Sequence, residues 1–406
     1  MSERRQEHNF LIKSNTFHDN IKFFLSIAQA FGVMPLHNVN KTWDRVYFKW
    51  ASIRVVYSII NALGALLSSG FWLAKFGADG IVVDKTGQMA FYFSTFLCSL
   101  YLIKLAHKWT DILREWAVVE MSITGYGQEP SLKRTYVWLV SLSLLMGTFE
   151  HILFITNGVS DARTCKPVDG NSLRTFFEVL FPNYFSFVTF NIWIGIWVKI
   201  TNVLSTFTWI FTDVFISLIS IALTAKFRRL ASKIQNNMIM HRVFWKEFRE
   251  DYQKLYLLSK LIDKHISSLV LISYMHNIFF LCLQLYNSLR ERKGFVDLTY
   301  FVFSFAFLVS RIIGVSMFGA WLYEEAKKPM EILYNVPTEF YCTEIGRLIE
   351  QIYISPIGIT GLRFFMVTRN FMLQMAGTIV TLELMLFQFA PIDSTLRSSN
   401  RSDSCI

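Results

Sequence analysis

Residues 201–225 read TNVLSTFTWIFTDVFISLISIALTA, and KFRR follows at 226–229. As a helix this 25-residue run rises about 38 Å, more than the roughly 30 Å hydrocarbon core of a bilayer. Asp213 is its one charge, and the cations that follow end it as a membrane surface would. Upstream, 181–225 makes about 45 apolar-rich positions, long enough for two crossings. Lys199 and Asn202 interrupt them, so the segment is read as one crossing preceded by an aromatic outer-leaflet extension from Phe185 to Trp197. An eighth span would reverse the sidedness of everything downstream.

Working outward, similar runs give seven crossings: Ala51–Leu73, Met89–His107, Tyr136–Thr156, Thr201–Ala225, Ser267–Ser288, Thr299–Ala320 and Leu362–Phe389. The 406 residues are 53% hydrophobic and 17% charged, whereas a soluble domain is about a quarter charged. The first roughly 50 residues are polar, so no cleavable signal peptide is expected. With the N-terminus inside, about 24 cations fall on the inner side, Lys226, Arg228 and Arg229 among them, against about 10 outside. That bias favours seven spans with a cytoplasmic N-terminus and an extracellular C-terminus. The fold class expected is an all-α membrane protein.

The net charge of +10 resides in the loops between apolar runs, so no nucleic-acid partner is expected. Five cysteines show no metal spacing, and there is no nucleophile elbow, HExxH, GxGxxG or P-loop. Neither an enzyme nor a cofactor or metal is expected. A G-protein-coupled receptor would have the opposite orientation, and the chain lacks Asp-Arg-Tyr after span three and Asn-Pro-x-x-Tyr in span seven. No internal repeat is visible, which counts against an inverted-repeat transporter.

The division expected is a cytoplasmic segment at 1–50, spans one to four at 51–225 as a ligand-binding bundle, and cytoplasmic helical extensions at 226–266. Spans five and six follow at 267–320, an anchor segment at 321–361, span seven at 362–390 and an extracellular tail at 391–406. Phe227, Leu230, Ile234 and Met238, then Phe248, Tyr252, Leu255 and Leu258, keep helical spacing through charged sequence. Spans four and five should therefore continue as helices and pack together beyond the membrane. A further helix is expected over Pro329 to Ile354, with Gly358 and Gly361 breaking it from the last span.

Polar residues at membrane depth mark pathways or sites. In span seven, Gln374, Thr378, Thr381, Met385 and Gln388 recur at spacings of four, three, four and three, which keeps them on one helical face. Spacing alone leaves a helix–helix interface and a pore lining equally open. A pore would need several chains about an axis, because one helix cannot enclose water. Glu383, roughly 200° around from Thr381, should point back into its own bundle. A second set occupies the outer halves of the other spans: Glu150, His151, Asn191, Trp193, Trp197, Trp209, Asp213, Gln284 and Asn287. Carboxylates and amides beside indoles suit a polyhydroxylated ligand, since paired oxygens grip neighbouring hydroxyls and an indole covers a pyranose C–H face. For Trp193 and Trp197 an interfacial aromatic belt is the alternative; His276, Asn277 and Arg311 read as a packing network.

Thr381-Leu-Glu-Leu-Met-Leu-Phe-Gln388-Phe389 resembles the Thr-Tyr-(five mostly apolar)-Gln-Phe signature ending the last helix of insect gustatory receptors, with the third-place Glu of the sugar-receptor branch. Ala30-Phe-Gly-Val-Met-Pro-Leu36, Ser205 through Trp209 and Asp213 to Phe215, and Gly361-Leu-Arg-Phe-Phe365 through Asn370 to Val380 look like the same branch. Leu382 stands in place of the signature Tyr, and Ile210 in place of an Asn usual after the Trp. The resemblance implies a sugar-gated, non-selective cation channel in the plasma membrane of gustatory receptor neurons, embedded in membrane lipid and passing cations. It implies a homotetramer, or a heterotetramer with related receptors, in which each last helix lines a central pore and the helical extensions form an anchor. Gln388 and Phe389 would form or border the outer gate, and Thr381 and Glu383 would couple the bundle to it. A sugar transporter using the same pocket, or a receptor acting through a G protein, is the alternative.

Overall fold

The computed structural model describes residues 16–80, 83–123, 132–164, 172–236, 242–288, 292 and 294–389. The expected tail at 391–406 and the first fifteen residues lie outside the described residues. Among the described residues the regular structure is helical apart from one small hairpin and one isolated bridge between His37 and Tyr47. The helices are α1 (Phe17–Ala30), α2 (Ile53–Asp79), α3 (Val83–Ser122), α4 (Lys133–Thr164), α5 (Ser172–Leu180), α6 (Pro182–Phe185), α7 (Ile192–Asn236), α8 (Arg242–Ser288), α9 (Phe295–Leu333), α10 (Thr343–Ile354) and α11 (Arg369–Phe389). Six of them, α2, α3, α4, α7, α8 and α9, are long and apolar enough to cross a membrane. The seventh expected span, α11, has 21 residues, about 32 Å of rise and enough for a crossing.

The decisive stretch forms one helix. α7 runs unbroken for 45 residues, so Lys199 and Asn202 lie within it rather than between two crossings. Of the expected extension, Phe185 ends a separate single turn (Pro182–Phe185), and the part from Ile192 to Trp197 is the first turns of α7 itself. α7 is also the central helix, buried along most of its length. Most of its hydroxyls are tolerated there because Thr208, Thr212, Ser217, Ser220 and Thr224 each donate to the carbonyl four residues earlier, at 2.7–2.9 Å, which satisfies those donors in an apolar interior; Ser205 Oγ is buried without a partner among the described residues.

Two boundaries differ from expectation. Pro329 does not open a new helix; it lies in the last turns of α9, where only the end of the ladder is disturbed, and the separate helix is α10. Span seven begins later than Leu362, because 360–366 folds into a hairpin pairing Thr360 with Met366 and Gly361 with Phe365. Leu362 and Arg363 take the left-handed backbone at its tip, with φ of 48° and 63°, a conformation that costs a non-glycine residue. The hairpin is held by Asp263 of α8, whose carboxylate accepts Thr360 N–H at 2.7 Å and Thr360 Oγ1 at 2.8 Å. Burial raises the pKa of that carboxyl, which the Thr360 bonds partly oppose. Val367 then closes on Gly319 of α9, where a Cβ would lie 2.6 Å from Val367 Cγ1.

The helices extend past the expected span ends into a second packed layer. Phe227 of α7 meets Tyr252 of α8 edge-on at 5.8 Å, and Leu230, Ile234, Phe248 and Leu255 are buried with them. α1 reaches further than its polar neighbourhood suggests. Phe17 stacks on Trp116 at 3.9 Å, Phe24 on Phe211 at 4.4 Å and Phe31 on Phe207 at 3.6 Å. Residues of the expected cytoplasmic segment thus line the middle of α7. Its anchor is Glu120 of α3, which accepts Phe17 N–H at 3.2 Å and Trp116 Nε1–H at 3.0 Å and pairs with Lys226 of α7 at 2.8 Å. A carboxylate at the positive end of α1 is also favoured by that helix's dipole.

Glu120→Ala removes the group joining α1, α3 and α7 and leaves Lys226 without this partner. Breaking a poorly solvated pair of this kind costs about 3–5 kcal/mol. The thermal midpoint of the detergent-solubilised protein should fall; an unchanged midpoint would deny Glu120 this role.

Candidate functional site

Five of the long helices line a partly open cavity of about 200 Å³. α3 contributes Gln88, Phe91 and Tyr92, and α4 contributes Glu150, His151 and Phe154. α7 adds Asn202, Thr206, Trp209 and Ile210, a face that helical periodicity produces. α8 supplies Phe280 and Gln284, and α9 supplies Tyr300, Ser304, Phe307 and Arg311. Aromatic rings make the walls: Trp209 lies 6.0 Å from Phe91 at an interplanar angle of 25° and meets Phe280 at 5.0 Å. Polar groups are few and placed. Ser304 Oγ donates to Glu150 Oε1 at 3.0 Å and accepts Gln284 Nε2–H at 3.4 Å. Asn202 donates to Tyr92 OH at 3.2 Å, while its Oδ1 is buried without a protein partner among the described residues. Glu150 and Asn202 offer acceptors, Gln284 and Arg311 donors, and Trp209 a face. That inventory suits a small polyhydroxylated molecule.

One turn along α7 from Trp209, Asp213 lies behind this wall and not on it. Its carboxylate receives Arg311 Nη2 at 2.6 Å and Nε at 3.1 Å, Ser273 Oγ at 2.5 Å and Asn277 Nδ2 at 3.3 Å. The guanidinium lies 4.7 Å from the Trp209 ring, so Asp213 fixes an arginine that faces the cavity. Beside Asp213, Ser94, Cys98, Thr212 and His276 border a second space of about 10 Å³, about the room a single water requires.

Of the residues singled out in the sequence, Glu150, His151, Trp209 and Gln284 come together on the cavity, and Asp213 acts on it through Arg311. Asn191 is elsewhere: its Oδ1 accepts Trp193 N–H at 2.9 Å at the start of α7. Trp193 is 75% exposed and Trp197 39%, the outward placement of an interfacial belt. Asn287 lies off the cavity, with Oδ1 buried. Sequence reading singled out neither Tyr300 nor Ser304 and assigned Arg311 to packing. Their spacing of four and seven places all three on one face of α9, a signal present in the sequence but shared by many helices.

The same acidic residue connects to the last helix. Ser273 and Asn277 flank Tyr274, whose OH bonds Ser316 Oγ at 2.8 Å and whose ring meets Phe365 at 5.2 Å and Phe371 at 5.6 Å. Phe365 and Phe371 stack at 4.4 Å, and Arg369 pairs with Glu324 at 2.5 Å. Beyond this foot, α11 stands largely unpacked. Gln374, Thr378, Thr381, Met385 and Gln388 are all exposed, and Thr378 and Thr381 donate back to the carbonyls of Gln374 and Gly377 at 2.9 Å. The expected inward direction of Glu383 and the place of the Phe389 side chain lie outside the described residues.

A family model described as trehalose receptor matches residues 1–398. The gustatory receptor for sugar taste 64f of Drosophila melanogaster is 30% identical over 95% of this chain and 83% of its own length. The gustatory receptor 5a for trehalose of the same fly is 30% identical over 94% and 86%. The insect olfactory receptor OR5 from Machilis hrabei shares the fold, with a TM-score of 0.66, covering 91% of this chain and 99% of that one at 14% identity. Its complex with eugenol gives a TM-score of 0.62 at the same identity, over 91% and 97%.

Asp213→Ala strands Arg311 in the bundle and should lower stability by about 3–5 kcal/mol. The apolar pair Asp213→Leu with Arg311→Met should recover most of that loss, because no charge is left buried. Thermal midpoints of both variants decide it. Equal losses in the single and double variants would mean that the charges do not act as a pair.

Proposed function

We propose a function from one premise: this chain belongs to the trehalose receptor family, the sugar-taste branch of the insect gustatory receptors. Its relatives are receptors and not enzymes, and the fold this chain shares with an insect olfactory receptor is helical, with six helices long and apolar enough to cross a membrane. The reading is a sugar-gated, non-selective cation channel in the plasma membrane of gustatory neurons. It assembles as a tetramer, of this chain alone or with related subunits, with the N-terminus inside and α11 lining the pore.

One observation carries it: a pocket of aromatic faces and sparse polar groups is linked, through Arg311, Asp213 and the α8 segment that bears Ser273 and Tyr274, to the foot of a helix that packs on little else. A helix with Leu373, Val380, Leu382 and Leu384 exposed is stable in lipid. A stripe of Gln and Thr on the same helix suits neighbours about an axis, with water between them. Sugar hydroxyls would donate to Glu150 and Asn202 and accept from Gln284 and Arg311, with the ring against Trp209. Gating then requires that the sugar bind the open state more tightly than the closed one. Tightening around Arg311 biases Asp213, the α8 segment 273–277 and the Tyr274–Phe371 contact.

Whole-cell patch clamp of the chain against a saccharide panel tests this. Sugar-evoked cation current is expected; saturable uptake without current would make the protein a transporter instead. Glu150→Gln should raise the half-maximal sugar concentration about tenfold or more, since a hydrogen bond to a charged group is worth about 1.5–3 kcal/mol and 1.4 kcal/mol is tenfold. Phe389→Ala should raise the current without sugar; an unaltered basal current removes Phe389 from the gate.

A further inference from the structure

Two neighbouring helices change character on their outer faces. Along α3 the exposed residues Phe93 and Leu100 give way to exposed Lys104 and Lys108, at spacings of seven, four and four that keep all four on one face. Along α8, which packs beside α3, exposed Met275 gives way to exposed Lys264 and Lys260, again on one face. An apolar face that turns cationic is what a helix presents on leaving lipid tails for headgroups. Trp50, 58% exposed, marks the same level, since it and Phe48 pack on His107 of α3 at 5.7 and 5.4 Å.

The cations of the two helices form one patch. The charges of Lys264 on α8 and of Lys108 and Lys104 on α3 all reach the His265 imidazole, against one opposing carboxylate, Asp111. Among the described residues, Lys104, Lys260 and Lys264 form no ion pair, and Lys108 reaches Asp111 only at 4.0 Å. Asp263, close to Lys260 in sequence, is engaged by Thr360. Lys104 and Lys260 lie over the rings of Tyr101 and Tyr256, at 5.9 and 5.6 Å, which steadies them without neutralising them. A headgroup with one negative charge would leave much of this patch unmatched, whereas one with several phosphates would match it.

We propose that this patch binds the headgroup of a polyphosphorylated phospholipid, gripped by Lys104 and Lys108 from α3 and by Lys264 and Lys260 from α8. Leu100 and Met275 continue the patch as apolar surface for the acyl chains, which is why the occupant is a lipid and not a soluble phosphate. The site requires only that the bundle spans a membrane, and it stands apart from the sugar and channel readings.

Thermal stabilisation of the detergent-solubilised full chain, which follows the ratio of ligand concentration to Kd, tests this. The probes are dioctanoyl phosphatidylinositol 4,5-bisphosphate, the dioctanoyl forms of phosphatidylserine and phosphatidylcholine, and free inositol 1,4,5-trisphosphate. The bisphosphate lipid should bind at least tenfold more tightly than each of the others. Each cation removed at such a site should weaken it about fivefold. Lys104→Gln, Lys108→Gln and Lys264→Gln combined should therefore weaken it by well over tenfold. Lys133→Gln, Lys246→Gln and Lys327→Gln combined remove the same charge from exposed positions elsewhere and should leave it within about threefold. If the first triple variant fails to fold, Lys104→Gln and Lys264→Gln singly take its place. Equal losses in the two triple variants would mean general charge attraction and overturn the proposal. So would phosphatidylserine or phosphatidylcholine binding as tightly as the bisphosphate lipid. Free trisphosphate binding as tightly would make the site one for a soluble anion, which overturns the lipid assignment.

Discussion

A carboxylate inside a helical bundle cannot remain charged without partners, and Asp213 has four donor contacts from two helices. That requirement fixes α7, α8 and α9 against one another in rotation and height. It points the face of α7 bearing Asn202, Thr206 and Trp209 into one cavity, because a helix rotated to satisfy Asp213 has no remaining freedom. It also holds Arg311 over Trp209, so a cation lines the cavity although its countercharge lies behind the wall. Such a pair is weak evidence for stability, since desolvation offsets much of the attraction. Its consequence here is geometric.

The same constraint joins two regions that differ in how tightly they are packed. Around Asp213 the side chains of Thr212, Ser273, Tyr274, His276 and Asn277 are buried, while at the foot of α11 Phe371 is half-buried and Arg369 and Asn370 are exposed. Past Phe371 the last helix exposes Leu373, Leu382 and Leu384 as well as its polar stripe. A densely packed interior changes shape by switching between discrete arrangements, whereas a helix held at one end can swing. The helices that line the pocket meet the last helix where the stacked Phe365 and Phe371 touch Tyr274. The expected coupling residues Thr381 and Glu383 lie three turns further along the helix.

Several elements were legible in advance for a simple reason. The continuity of α7 was not among them, since Lys199 and Asn202 were read as an interruption; keeping one lysine and one amide in the helix costs less than unpaired backbone, and the helix runs through both. The helical extensions at 226–264 were visible because amphipathic spacing survives a change in charge density. Pro329 misled because a proline near a helix end removes little of the ladder. The hairpin at 360–366 was invisible, since its two short strands depend on Asp263, about a hundred residues away in sequence. α1 was likewise read as outside the bundle, because its aromatic face is shorter than a span and only its partners Trp116, Phe211 and Phe207 explain it.

Within the site the division is the same. Glu150, Trp209, Asp213 and Gln284 were found because polar and indole groups at membrane depth are rare enough to be noticed singly. Trp193 and Asn191 were noticed for the same reason, yet they face outward and cap a helix. Sequence alone determined which segments are apolar enough to cross lipid and that the chain is a many-span helical receptor of a recognisable family. Hydropathy and motif spacing are properties of one dimension, and lipid enforces them segment by segment. Only the tertiary structure decided which polar side chains share a cavity, how large it is, and that Asp213 serves through Arg311. Those depend on the rotation and height of each helix, which are set by contacts between residues far apart in the chain.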